Sequence, residues 1–215
     1  MVCRAEPLEI IQSPMPEPTP EINWYRVPEE PRVIDTVVIH YTSALGWFNE
    51  DFQEQFGEQV APVAEKVGLT PENLNEHKFD FQLNKAIFVA YGVSAHYIID
   101  RDGTIYQLVP DEWVAWHAGV SKMPSPDDRE MVNTFSIGIE LLATHPDDDP
   151  SVKADPENAF TEAQYASLEQ LMEKLTTEYP ITAVVGHDEI APDRKKDPGP
   201  LFDWSRVRHD DLTPH

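Results

Sequence analysis

His187 and Asp197 stand ten residues apart, with Lys195 between them, in the run Gly186–Pro200, GHDEIAPDRKKDPGP. The run carries one His, four acids and three bases, and Pro192 and Pro198 interrupt it. A segment so polar and so broken is expected as an ordered loop. It follows the apolar run Ile181–Val185, which reads as a buried strand, so His187 falls where a strand gives way to a loop. A rigid loop can fold back and aim an imidazole and a carboxylate at one point. Zinc accepts both donors, but it needs a third protein ligand. The candidate is His40, at the end of another apolar strand, Thr36–His40. A hydrogen-bonded structural histidine is the other reading of such a position.

Glu140 raises a related question. It lies between Ile139 and Leu141 in SIGIELL, Ser136–Leu142, a run that reads as a strand. A carboxylate in apolar surroundings is costly unless it is paired, hydrogen-bonded or used. Beside an activated water its pKa can rise enough for it to shuttle a proton. An ion pair with a base such as Lys195 is the structural alternative.

Five segments, taken in order, carry a family resemblance: VVIHYTSA at 37–44, VSAHYIIDRDGTIYQLVP at 93–110, AWHAGVS at 115–121, NTFSIGIEL at 133–141, and the run from Gly186. They resemble the zinc-dependent N-acetylmuramoyl-L-alanine amidases, a family that includes phage lysozyme-type amidases, AmpD-type recycling amidases and peptidoglycan-recognition proteins. The resemblance covers the chain from about residue 33 to 207. It implies one zinc ion per chain, held by His40, His187 and Asp197, with a water in the fourth position whose pKa falls to roughly 7. It implies hydrolysis of the amide between N-acetylmuramic acid and L-alanine in peptidoglycan or muropeptides. Glu140 would be the general base and later the acid, and Lys195 would stabilise the oxyanion. Trp116 and His117, in the WHAG segment, would border the substrate groove; packing in the core is their alternative. Phage-type members carry a Tyr just before the hairpin His, where this chain has Ala95. That departure leaves more of the work to Glu140. Asp188 and Glu189 flank His187, but the motif gives them no ligand role. Some peptidoglycan-recognition proteins keep the groove and lose the metal, so a non-catalytic binding module of the same fold is the competing reading.

The elements that must position these residues are legible in outline. Val33–His40 and Ser136–Leu142 read as buried strands. Ser94–Ile99, Asp102-Gly103 and Thr104–Val109 read as a hairpin. Thr161 and Gln164 form a capping-box signature ahead of a helix carrying Tyr165, Leu168, Leu171, Met172 and Leu175. Phe202–Arg208 reads as a short closing helix. Residues 48–90 read as a helical insertion, an added helical pair with a lid or wall of the substrate groove as its alternative; Pro62 is expected to kink or divide its first helix and Thr70-Pro71 to start a second. Residues 1–31 are proline-rich and read as an extended arm, with Trp24 and Tyr25 as apolar anchors. The expected whole is an α/β (α+β) fold: one domain over 32–215 with a central mixed β-sheet flanked by helices and the zinc site at one end of the sheet.

Composition narrows the rest. A chain of 215 residues suits one such domain. Its net charge of −23 argues against nucleic acid, which needs a basic face, and against anionic membrane surfaces. A dispersed monomer is expected. No apolar run is long enough for a transmembrane segment. Cys3 is the single cysteine, so no internal disulfide is possible. No signal peptide is visible, which points to a cytoplasmic protein; export with the signal removed, with lipid on Cys3 as one form of it, is the alternative.

Overall fold

The computed structural model describes residues 8–45, 50–145, 152 and 159–208. Cys3 and most of the acidic stretch after His145 lie outside them. The strands are β1 (Ile10–Gln12), β2 (Tyr25–Arg26), β3 (Thr36–Thr42), β4 (Tyr97–Ile99), β5 (Ile105–Gln107), β6 (Val114–Ala115), β7 (Ser136–Leu142) and β8 (Ala183–Gly186). The helices are α1 (Glu50–Lys66), α2 (Leu74–His77), α3 (Phe81–Tyr91), α4 (Glu162–Glu178) and the single turn α5 (His187–Ile190). Six strands form one mixed sheet in the order β1-β5-β4-β7-β3-β8, and β2 pairs with β6 apart from it.

The middle of this sheet is parallel: β4 on β7, β7 on β3 and β3 on β8. Such strands are covered on both faces, and their sequences follow from that. Val37 and Ile39 of β3, with Ile137, Ile139 and Leu141 of β7, meet Tyr165, Leu168, Leu171 and Leu175 of α4. The expected capping box starts α4: Thr161 accepts from the Gln164 N–H, and the Gln164 side chain accepts from the Thr161 N–H. Gln164 also donates to the Ile99 and Leu142 carbonyls, which ties the helix to β4 and β7. On the opposite face Val38, Ala183 and Val185 pack with Ala118, Val132 and Ile190.

The hairpin forms as expected, in antiparallel register from Tyr97↔Gln107 to Ile99↔Ile105, with Gly103 at φ 89° in its turn. Three local expectations differ. α1 runs through Pro62 undivided, because Phe52, Val60 and Ala64 on either side of it are buried in a shared cluster with Leu83 and Ala90 of α3. Thr70 does not cap a helix. The Asn73 side chain instead accepts from the Thr70 N–H and donates to the Gly68 carbonyl, and α2 begins only at Leu74. The closing helix is a single 3-10 turn, Trp204–Arg206.

The proline-rich segment is bound into the fold from Leu8 onward. β1 adds a parallel edge strand to β5, and β2 pairs with β6. Lys85 of α3 donates to the carbonyls of Ser13 and Pro14. Trp24 is 5% exposed, and its indole N–H donates to the Val89 carbonyl at 2.9 Å. Tyr25 stacks on Trp113 at 4.8 Å between ring centroids. Arg32 is half-buried and donates to the carbonyls of Asp111, Asn133 and Ser136. Among the described residues no helix is long and apolar enough to cross a membrane.

If residues 8–31 belong to the cooperative unit, truncating their main anchor must destabilise the whole. Trp24→Ala is expected to lower unfolding free energy by about 3–5 kcal/mol, the usual cost of emptying a buried Trp position. Urea denaturation measures it. A loss below about 0.5 kcal/mol, the level of a surface change, would mean that the segment is only draped on the domain.

Candidate metal centre

Three parallel strands deliver the candidate residues to one place. His40 and Glu140 are register partners on β3 and β7, so their side chains leave the same face side by side. His187 follows directly after β8, the neighbour of β3 on its other side. The site therefore lies at the carboxyl ends of the strands, where open α/β sheets place their ligands.

Asp197 comes from the loop. The Asp188 N–H donates to the Asp197 carbonyl at 2.8 Å, closing the loop back onto its own start. Gly186 makes room for this: a Cβ there would lie 2.2 Å from Asp188 Oδ1 and 2.9 Å from Pro198 Cδ. His187–Ile190 of the expected loop form α5, because Glu189 turns back to accept from the Gly186 N–H at 2.6 Å. Arg208 clasps the same carboxylate oxygen.

The result is a triangle of donor atoms. His40 Nδ1 lies 2.9 Å from His187 Nδ1, and each lies 3.0 Å from Asp197 Oδ2. His40, His187 and Asp197 are 1%, 3% and 9% exposed. His187 Nε2 faces the Ala118 carbonyl at 3.2 Å. A carbonyl only accepts, so that nitrogen carries the proton, and a neutral His187 presents a lone pair at Nδ1. Burial pulls His40 down to about 4, outweighing the pull of Asp197 in the other direction. Burial alone would raise Asp197; the two imidazoles beside it outweigh that and hold it ionised. Two lone pairs and a carboxylate aimed at one point repel each other unless a cation lies among them. Four-coordinate zinc with bonds near 2.0–2.1 Å sets its ligand atoms about 3.3 Å apart. The triangle needs to open by only a few tenths of an ångström to fit it.

Glu140 Oε1 lies 4.0 Å from His40 Nδ1. Its Oε2 is buried without a hydrogen-bond partner among the described residues. Burial, reinforced by the charge of Asp197 and opposed by Lys195, holds this carboxyl well above its ordinary range. An unpartnered buried oxygen next to a triangle of potential metal ligands calls for a partner from outside the described side chains. Lys195, half-buried, lines the same pocket, a cavity of about 290 Å³.

Trp116 is half-buried on the pocket wall, its N–H donating to Ser94 Oγ. His117, expected beside the substrate, touches the pocket from beneath. It is 8% exposed and both ring nitrogens are engaged, Nδ1 with His40 Nε2 at 3.1 Å and Nε2 with Ser136 Oγ at 3.2 Å. Asp188 and Glu189 stand outside the triangle. Tyr41, Phe88 and Val93 also line the pocket. Phe88 lies on α3, so the helical insertion reaches the site. Nothing in the spacing of residues 48–90 marked it, because its position depends on how α3 docks.

Two histidines and an aspartate converging at the carboxyl ends of a mixed sheet form a donor set that could hold a metal ion. The N-acetylmuramoyl-L-alanine amidase family model matches residues 30–200, and the chain belongs to that family. Among curated relatives, the 1,6-anhydro-N-acetylmuramyl-L-alanine amidase AmpD of Haemophilus influenzae is 38% identical over 181 residues, covering 82% of each chain. AmpD of Citrobacter freundii is 49% identical over 118 residues, which is 54% of this chain and only 56% of the relative. A crystal structure of a selenomethionine AmpD derivative superposes with a TM-score of 0.59 at 34% identity, covering 93% of this chain and 92% of that one. The solution structure of the Citrobacter freundii AmpD gives 0.52 at 33% identity, over 93% and 89%.

The raised Glu140 carboxyl has a consequence for the metal-free protein. Its folded pKa lies above the ordinary 4.5, so the folded state holds a proton that the unfolded chain releases first. Stability therefore falls as pH rises from that ordinary value through the folded one. Glu140→Gln removes this penalty. The metal-free variant is expected to be more stable than wild type at pH 7, with the gain fading below about pH 4, where both states of wild type are protonated. Urea titrations across that range test it; a difference independent of pH would contradict the assignment.

Proposed function

We propose that this protein is a zinc-dependent amidase that hydrolyses the bond between the lactyl group of N-acetylmuramic acid and L-alanine. The observation that carries this reading is the convergence of His40 Nδ1, His187 Nδ1 and Asp197 Oδ2 within about 3 Å of one another, beside the unpartnered Glu140 Oε2. His40, His187 and Asp197 would hold one zinc ion. When bound, the metal supplies Lewis acidity, which brings the pKa of a water toward neutrality and polarises a carbonyl.

The protein's own groups do the rest. Glu140, as the carboxylate, takes a proton from the attacking water and later passes it to the leaving amine nitrogen; burial strengthens its hold on that proton between the two steps. Lys195, on the pocket wall, offers its ammonium to the oxyanion that develops on the amide carbonyl. Trp116, with Phe88 and Val93, supplies an apolar surface for a sugar ring or the first residues of a peptide stem.

The names of the relatives favour soluble 1,6-anhydro-muropeptides as the substrate. The net charge of −23 points the same way, since it repels polyanionic wall polymers and suits a small diffusing fragment. A location in the cytoplasm accords with such a substrate.

His187→Ala is expected to abolish zinc retention and turnover together. Glu140→Ala is expected to keep zinc while turnover drops by about 10²–10⁴-fold. Metal analysis and a muropeptide assay on the same preparations check both, and an unchanged rate would remove Glu140 from the mechanism. Lys195→Ala is expected to lower kcat by more than tenfold with little change in KM. A rise in KM alone would assign Lys195 to binding. Faster cleavage of intact sacculi than of soluble anhydro-muropeptide would overturn the substrate assignment.

A further inference from the structure

His117 and Ser136 have no part in the chemistry above, yet they are packed against the triangle with every polar atom oriented. The orientation can be read from the far end. The Val132 carbonyl only accepts, so the Ser136 hydroxyl donates to it at 2.7 Å. Ser136 Oγ is then free to accept, and His117 Nε2 lies 3.2 Å away as the donor. A neutral imidazole has one N–H, so His117 Nδ1 is left as an acceptor. It faces His40 Nε2 at 3.1 Å, which must therefore carry the proton. His40 Nδ1 is left with its lone pair directed at His187 and Asp197. Each link forces the next, and the chain ends on a backbone atom that cannot change role.

Strand β7 is built for this arrangement. Ser136, Gly138 and Glu140 alternate onto one face. Gly138 has no side chain where the His117 ring lies: a Cβ there would sit 2.3 Å from His117 Cγ. Asn133 Oδ1 accepts from the N–H groups of His117 and Ala118, at 3.1 and 2.8 Å, and fixes the segment from which the ring projects. That segment also presents the Ala118 carbonyl to His187 Nε2. One short stretch thus orients both histidines.

We propose that Val132, Ser136 and His117 form a proton-ordered chain that holds His40 in the tautomer presenting Nδ1 to the metal, and that this chain sets how tightly the site takes zinc. His117 is a positioning residue. The inference rests on the zinc reading above. Partners behind a ligating histidine typically matter by 10–100-fold in metal affinity.

The test is zinc affinity of the full chain, measured by competition with a chromophoric chelator, so that it does not depend on turnover. His117→Phe keeps the ring volume and removes both bonds; affinity is expected to fall about 10–100-fold. Ser136→Ala, a smaller change, is expected to weaken zinc in the same direction. His117→Gln offers an acceptor and a donor in one amide and is expected to recover part of the loss. Nitrogen-15 spectra of the wild-type zinc form supply a readout that needs no variant: His40 and His117 are both expected with the proton on Nε2. Affinities within twofold of wild type for His117→Phe and Ser136→Ala, or a His117 proton on Nδ1, would overturn the chain while leaving the zinc centre standing. A wild-type protein that takes no zinc at one equivalent would overturn both.

Discussion

The structure depends on holding three electron-rich atoms within about 3 Å of one another in a buried place. Two imidazole lone pairs and a carboxylate repel at that distance when both histidines carry their protons on Nε2, facing Ala118 and His117. A cation turns the same arrangement from a cost into a binding energy. The sheet makes the geometry possible. Parallel pairing of β7, β3 and β8 sets His40, Glu140 and the start of α5 side by side at one end of the sheet. The loop returns Asp197 to that point through the Asp188 N–H and the space left by Gly186.

Around this centre, function opposes stability in a recognisable way. Glu140 is buried with one oxygen unpartnered, an expense the folded protein bears without the metal. The apolar face of the sheet against α4 is unrelated to the chemistry and offsets such costs. The other face is shared, since β7 directs Ser136, Gly138 and Glu140 toward the site while Ile137, Ile139 and Leu141 go to the core. The amino-terminal segment also reaches the pocket: the Trp24 carbonyl accepts from Ser94 Oγ, which in turn accepts from the Trp116 N–H. A wall residue is thus fixed by a segment more than ninety residues away in sequence.

Much of this was legible in the residues, for reasons that differ by element. The strands around His40 and Glu140 were visible because burial on both faces demands apolar runs; Ser136–Leu142 is unchanged, and the His40 strand shifts by two or three residues at its ends. The hairpin and α4 announced themselves through Asp102-Gly103 and the Thr161/Gln164 pair, which are local signals. Trp24 and Tyr25 stand out as anchors of the proline-rich segment, but the roles of Ser13 and Arg32 are hidden, since a stretch with no periodicity gives no sign of what it docks on. The one-turn helix at His187–Ile190 was hidden as well, because its start depends on Glu189 bending back to Gly186. His117 was noticed for its motif and expected at the substrate. Its bond to His40 joins residues 77 apart in sequence and depends on the absence of a side chain at Gly138. The alternation Ser136, Gly138, Glu140 was the one signal that could have pointed to it.

The central claim is that a single metal ion sits among His40, His187 and Asp197. Anomalous diffraction from crystals of the purified protein, recorded on both sides of the zinc absorption edge, tests it most directly. One strong peak per chain is expected, bonded to His40 Nδ1, His187 Nδ1 and Asp197 Oδ2 and within reach of Glu140. A zinc-supplied crystal with no peak there, or with the ion bound through a different set of side chains, would contradict it.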